Sequence, residues 1–248
     1  MKSWPAVFLL LALLWGAAGP AALAQEAAAQ PGLEWLNRFR SARGLAPLDE
    51  PAAEPALQRA ADAYAAVLAA SGRIVHRDAE GRSALGRYRA AGGSAARVGE
   101  ILGAGPSLSA VTAAWEASPA HAAAALDPRW THAAAGRVRG AGAEYWVVLF
   151  AEHRVEGFQL ALEPGGTYRI SGVFRDPRAA GPELWSGLRV VPPEAWDPAR
   201  REFLFLLPSG AGRRYHRLGY RTGTGEFFLT SAFFPQPGAT SFPGTAPR

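Results

Sequence analysis

The segment WEASPAH, residues 115–121, contains the clearest helix start in the chain. Ser118 is a preferred N-cap residue, and Pro119 suits the first helical position because its missing N–H needs no partner there. His121 then falls at the third helical position, near unpaired N–H groups and the positive end of the helix dipole. This environment favours a neutral imidazole, which can bind a metal or accept a proton. The segment therefore predicts a helix through Leu126 with a candidate functional histidine in its first turn.

Helical periodicity of apolar residues extends over the part of the chain before this segment. The pattern predicts helices over 33–43, from Pro51 to a stop at Gly72, over 83–91 and over 108–115. Two strands are predicted after residue 126, over 135–139 and 144–151, with a glycine turn between them. Helices followed by strands in one unit indicate helices layered on a mainly antiparallel sheet, which is an α+β domain.

From Val155 onwards the sequence consists of short stretches in which apolar and polar residues alternate. Strands are predicted over 158–162, 168–172, 188–191, 202–207, 215–221 and 226–234. We therefore predict a helical and sheet domain over 33–153 and a small all-β domain over 154–235, built as a β-sandwich or a meander. Residues 236–248 are rich in Pro, Gly, Ser and Thr and are predicted to form a flexible tail.

The N-terminus has the three parts of a secretory signal: one lysine, an apolar run and Ala-Leu-Ala before Gln25. We predict a signal peptide over 1–24, a polar lead-in over 25–32, and a secreted or periplasmic protein that does not span the membrane once the signal is removed. An uncleaved anchor is the alternative, although the apolar run is short of the ~20 residues that a spanning helix needs. The chain has no cysteine, so a lipoprotein anchor, disulfides and a thiol nucleophile are all excluded.

The charge distribution argues against nucleic acid as a partner. The formal net charge is +5, and it becomes +4 when Lys2, the only lysine, leaves with the signal. The arginines are scattered among acidic residues, so no basic patch of the kind that binds phosphate backbones is present in the sequence.

Few residues of the sequence are suited to catalysis or metal binding. His76 lies in a predicted loop, and Glu100 lies in the apolar, glycine-rich segment VGEILGAG, where a carboxylate needs a partner. A Gly-x-Ser-x-Gly nucleophile elbow is absent. The other histidines, His132, His153 and His216, are predicted to be surface or structural residues, with His132 also a minor candidate for the site.

Five motifs occur in an order that resembles a known family: LNRFRSARGLAPLD (36–49), HRDAEGRSALGRYRAAGG (76–93), VGEILGAG (98–105), AAWEASPAH (113–121) and RWTHAAAGRVRG (129–140). Residues from Leu33 to Glu152 resemble the bacterial branch of the CAP superfamily, also called SCP-like domains. The resemblance implies an α-β-α sandwich with an open cleft. In the family this cleft is lined by two histidines and two acids, and it binds zinc or another divalent cation in some members.

The resemblance also implies which residues line the cleft. His76 matches the first family histidine, Glu100 matches the acid of the usual Gly-Glu-Asn, and His121 matches the second histidine. Glu100 would also be the candidate general base of an enzyme. A position of Glu100 next to both imidazoles favours a functional site, whereas a turn toward an arginine such as Arg97 favours a scaffold.

Two positions depart from the family pattern. Ile101 replaces the usual asparagine, and Ser118 stands where eukaryotic relatives have the second acid. Glu116 is close in sequence but lies one helical step from Trp115, so it is a weak candidate for the missing ligand. Two histidines and one carboxylate could still hold a metal ion with water in the remaining positions.

Three functions remain open at this point. The first is a secreted, non-enzymatic binding protein for a lipid, another small apolar ligand or an envelope component, as in many relatives. The second is a metal-dependent hydrolase in which His76 and His121 hold a divalent ion and Glu100 is the general base. The incomplete ligand set argues against it. The third is a structural envelope protein that acts through its C-terminal β domain.

Overall fold

A computed structural model describes residues 30–49, 54–140, 142–209 and 215–233. The predicted signal peptide, the lead-in up to residue 29 and the predicted tail lie outside the described residues. The first part of the chain contains five helices and three strands: α1 (Pro31–Ser41), α2 (Pro55–Ser71), α3 (Ala84–Ala90), β1 (Arg97–Gly105), α4 (Leu108–Ala117), α5 (Pro119–Ala125), β2 (His132–Arg139) and β3 (Glu144–Glu152). None of the described helices is long and apolar enough to cross a membrane.

The three strands form an antiparallel sheet in the order β1-β3-β2. Every residue of the central strand β3 is buried, and its side chains alternate between two apolar layers. Val147 and Leu149 pack with α2 and α3 on one face, whereas Val148 and Phe150 pack with α1, α4 and α5 on the other. The sheet therefore lies between two helical layers, which confirms the predicted α-β-α sandwich.

Capping residues explain where the helices begin and end. The predicted start of the second helix at Pro51 is wrong: α2 begins at Pro55, because Glu54 has a non-helical backbone and acts as its N-cap. The predicted stop at Gly72 is confirmed, since this glycine has a φ of +66°, which side-chain-bearing residues rarely adopt. The predicted start of α5 at Ser118 is also confirmed, although the Ser118 side chain makes no capping hydrogen bond.

The edge strand β1 was not predicted, because its glycines read as a loop in the sequence. In the structure two of these glycines leave room for large side chains of the same layer. A Cβ atom at Gly99 would lie 2.6 Å from the Trp130 ring, and one at Gly103 would lie 2.5 Å from Val111 Cγ1. The glycines therefore permit close packing of the helical layer on the sheet.

The C-terminal part is an all-β unit, as predicted, and a sandwich rather than a meander. Its described strands are β4 (Val155–Glu163), β5 (Thr167–Phe174), β6 (Ala179–Ser186), β7 (Arg189–Val191), β8 (Ala195–Asp197), β9 (Glu202–Pro208), β10 (His216–Thr222) and β11 (Phe227–Phe233). They form two antiparallel sheets, ordered β11-β10-β6-β7 and β4-β5-β9-β8. Both sheets contribute side chains such as Ile170, Phe205, Leu184 and Leu218 to one apolar core.

Strand β6 was also missed, because Gly181 and Pro182 read as a turn. Pro182 pairs with Tyr220 of β10, while β7 reaches only the last three residues of β6, from Leu184 to Ser186. One side of β6 is therefore open at Pro182, where a missing N–H is tolerated.

Candidate functional site

The cleft residues come from three separate elements of the CAP-like part. His76 lies in the segment between α2 and α3, Glu100 is the fourth residue of β1, and His121 is the third residue of α5. His76 Nδ1 lies 2.8 Å from Glu100 Oε1, so these two predicted site residues meet. The Glu100 side chain is only 4% exposed, whereas that of His76 is 64% exposed. The fold thus places a buried carboxylate behind an accessible imidazole.

Arg87 of α3 is the residue that the sequence analysis missed. Its guanidinium binds Glu100 Oε2 and stacks on the ring of Tyr64, with 3.4 Å between the guanidinium carbon and the ring centroid. It also donates hydrogen bonds to the backbone carbonyls of His76 and Arg82, at 3.2 and 2.9 Å. Arg87 therefore fixes both the carboxylate and the segment that carries His76.

The expected alternative partner, Arg97, has other contacts. It binds Asp127 and lies 3.5 Å from Glu152, on a different part of the sheet. A buried carboxylate needs a cationic partner. The apolar segment around Glu100 therefore predicted such a partner, and Arg87 was as eligible for this role as Arg97. The choice between a site and a scaffold is therefore not exclusive, since Glu100 contacts both an imidazole and an arginine.

His121 lies close enough to His76 for the charge of that residue to act on it. Burial lowers the pKa of its imidazole, and the positive charge of His76 lowers this pKa further. Its Nδ1 is buried and has no hydrogen-bond partner among the described residues. The lowered pKa agrees with the predicted neutral imidazole, and its causes are burial and the charge of His76.

Glu116 is engaged away from the histidines. Its Oε1 accepts a hydrogen bond of 2.7 Å from Trp35 Nε1, which joins α4 to α1. The Trp35 ring in turn packs on Trp115. The carboxylate therefore contributes to helix packing in this layer.

The arrangement of these side chains does not suit a divalent ion. No three of the described His, Asp and Glu residues form a group that could hold a metal. One oxygen of Glu100 contacts His76 and the other contacts Arg87, so the carboxylate would have to release a partner to bind an ion. Zinc binding by His76, His121, Glu100 and Glu116 stays a prediction.

A cavity of about 580 Å³ lies between α2, the segment 78–82 and α3. Tyr64, Val67 and several alanines provide apolar walls, and Arg59 and Arg87 provide positive charge. Asp78 and Glu80 also line the cavity, and both pair with Arg82. This volume is within the range of small-molecule sites. Arg87 thus lines the cavity and holds Glu100 at the same time.

One comparison with known proteins agrees with this fold. Residues 33–150 match the model of the CAP family, described as the cysteine-rich secretory protein family. No curated protein matches the chain at a significant level.

Two solved structures resemble the chain, each with a TM-score of 0.44. An outer surface protein from Borrelia burgdorferi is 25% identical, and the match covers 48% of this chain and 88% of that protein. An extracellular protein containing a SCP domain from Bacillus anthracis str. Ames is 16% identical, with 50% and 39% covered. The family match and the α-β-α sandwich together support a CAP-like domain over residues 33–150.

Proposed function

We propose that the protein is an exported, non-enzymatic binding protein whose CAP domain takes up a small, largely apolar ligand. The observation that carries the proposal is the double role of Arg87, which lines the cavity and neutralises Glu100. A carboxylate that is buried and bound on both oxygens is a poor general base, because it must lose a partner before it accepts a proton. Recognition rather than catalysis is therefore the function that these contacts favour.

The chemistry of the cavity defines the ligand class. Val67, Tyr64 and Ala63 offer an apolar surface, and Arg59 offers a cation that donates to the carbonyl of Ala91 at 2.8 Å. A short acyl chain that ends in a carboxylate satisfies both features, since the chain buries apolar area and the head group meets the cation.

Decanoate is a suitable probe, and thermal melting is a suitable readout. A ligand that binds only the folded state raises the melting temperature. We expect decanoate to raise it in the wild-type protein and in Ala66→Phe, an exposed control position of α2 that does not line the cavity. Ala63→Phe, which fills the cavity from the same helix, should abolish the rise. Equal rises in both variants would contradict the proposal.

The same melts test the hydrolase alternative. The protein is first treated with a chelator and then titrated with zinc chloride, beside His76→Ala and His121→Ala. Arg73→Ala, an exposed neighbour of His76, is the control. A zinc-dependent rise that both histidine variants lose, and that the control keeps, would favour a metal-dependent enzyme. A lack of response to zinc and decanoate alike would favour the structural role of the β unit.

A further inference from the structure

A second group of histidines and acids lies where the chain leaves the CAP domain. The rings of His132 and His153 meet edge to face, with 4.6 Å between their centroids. His132 Nε2 lies 3.7 Å from Asp49 Oδ2, and His153 Nε2 lies 3.2 Å from Glu54 Oε2. Both imidazoles are about nine-tenths buried, with exposures of 10% and 11%. This cluster is separate from the cleft at His76 and His121.

The Thr131 hydroxyl contacts the ring of His132 and the backbone of His153. Thr131 Oγ1 lies 2.8 Å from His132 Nδ1 and accepts a hydrogen bond of 2.9 Å from the backbone N–H of His153. The hydroxyl therefore fixes the His132 ring beside the His153 backbone, and the His153 ring packs on it edge to face.

The cluster is connected to the β unit by a chain of hydrogen bonds. Glu54 Oε1 accepts a hydrogen bond of 3.0 Å from the Tyr88 hydroxyl, which in turn accepts the N–H groups of Ser94 and Ala95. The Ser94 carbonyl accepts a hydrogen bond of 2.8 Å from the Ala232 N–H of β11.

This segment is also where the two parts of the chain pair. Ala95 forms a β-bridge with Ser231, so β11 docks on the residues that Tyr88 positions. We refer to residues 94–95 and 231–232 as the junction.

Burial and two positive charges oppose protonation of His132, and two carboxylates favour it. The described charged and titratable groups that face the two rings are Asp49, Glu54 and Arg175, in addition to the rings themselves. Burial is the largest cause that lowers the pKa of His132 to about 4, followed by the charge of His153, while the two acids act in the opposite direction. Arg175, from the β unit, lowers this pKa further.

We propose that the His132–His153 pair is a pH-sensitive lock that holds the β unit on the CAP domain at neutral pH and releases it in acid. Opening of the junction moves Arg175 away and brings water to the imidazoles, so the open state accepts a proton that the closed state excludes. Acidification therefore favours the open state.

The direction follows from proton linkage. The ordinary pKa of His132 is 6.5 and its pKa in the closed state is about 4, so stability of the closed state is lost as pH falls below 6.5 toward 4. If opening restores the ordinary value, the opening equilibrium increases by up to about 20-fold between about pH 7 and about pH 5.

Hydrogen–deuterium exchange of the purified protein at these two pH values measures the opening, with each rate divided by the intrinsic exchange rate at that pH. We expect peptides that contain the junction to lose protection in acid, while peptides from β3 keep theirs. His132→Gln removes the titrating group and should reduce the change to less than about twofold.

Two charge variants separate titration from a merely structural role of His132. Arg175→Gln removes a repulsive charge from an exposed position, so the further loss of protection between about pH 5 and about pH 4, where protonation of the closed state limits opening, should be smaller than in wild type. Asp49→Asn removes an attractive charge and should make this further loss between about pH 5 and about pH 4 larger. Arg200→Gln, an exposed arginine elsewhere in the β unit, should behave as wild type.

Three results would overturn the proposal. The first is that the junction keeps its protection from exchange in acid. The second is that wild type, His132→Gln and Arg175→Gln lose the same amount of protection. The third is that β3 loses protection together with the junction. Because Arg175 is exposed, its variant tests the proposal even if His132→Gln does not fold.

Discussion

Arg87 and Glu100 form an almost completely buried ion pair that joins α3 to the edge strand β1. The pair also supports the segment before α3, because Arg87 donates to the carbonyl of His76. The cleft and the adjacent helical layer therefore depend on one guanidinium, and loss of this group should affect both.

Arg87→Ala should lower the free energy of unfolding by about 3 kcal/mol or more, because Glu100 is left buried without its cation. The double variant with Glu100→Gln should recover part of this loss, since no buried charge remains. Urea unfolding measures both. Arg38→Ala, which removes an exposed pair with Glu34, should cost less than about 1 kcal/mol. Equal losses from Arg87→Ala and Arg38→Ala would contradict the burial argument.

His121 should titrate below its ordinary pKa of 6.5 in an NMR titration, because burial and the charge of His76 both lower its pKa. His76→Gln removes one of these causes, so the pKa of His121 should rise. The lowered pKa makes the contribution of His121 to stability decrease as pH falls below 6.5. Arg73→Gln should leave the titration unchanged, and a His121 midpoint above the ordinary value in the wild-type protein would refute the assignment.

Gly103→Ala should destabilise the protein by about 1–3 kcal/mol, because a Cβ atom would lie 2.5 Å from Val111 and force the helical layer to shift. Gly181→Ala is the matched control in another strand, since a Cβ atom at Gly181 would meet no atom of a packed neighbour within 4 Å. Its effect should stay within about 0.5 kcal/mol. Chemical denaturation compares the two, and a similar stability for both variants would show that the sheet adapts at Gly103.

Asp176→Asn should lower the pKa of Tyr220, which burial, the hydrogen bond to Asp176 and the charge of Asp176 together raise to about 12. The phenolate absorbance of the variant, measured against pH, reports the change. Asp197→Asn, a change of a partly exposed residue in the same unit, is the control. An unchanged tyrosine titration in Asp176→Asn would mean that burial alone sets the pKa of Tyr220.

Local chemistry predicted the helix ends that depend on capping and chain-terminating residues. Ser118 and Pro119 specify the start of α5, and Gly72 specifies the end of α2. The strands β1 and β6 were missed because their glycines and proline are explained by neighbours that are distant in sequence. Val111 occupies the space at Gly103, and the open side of β6 accommodates Pro182.

The site was predictable only in part for the same reason. The family motifs indicated His76, Glu100 and His121, and the contact between His76 and Glu100 is present. Arg87 lies on a short helix among many arginines, and nothing in its local sequence distinguishes a buried arginine from a solvated one. Its role follows from the approach of α3 to β1, which only the tertiary structure specifies.

The central position of β3 also has a consequence for synthesis. This strand pairs with both other strands of its sheet and provides side chains to both helical layers, yet it is the last of the eight elements of the CAP domain to leave the ribosome. The five helices precede β3 in the chain, so their apolar faces stay exposed until β3 pairs with the other strands. This pairing is slow because the strands are distant in sequence. The chain is therefore most exposed to aggregation until the segment up to Glu152 is available for pairing, and a chaperone that covers the helices before then would aid folding most.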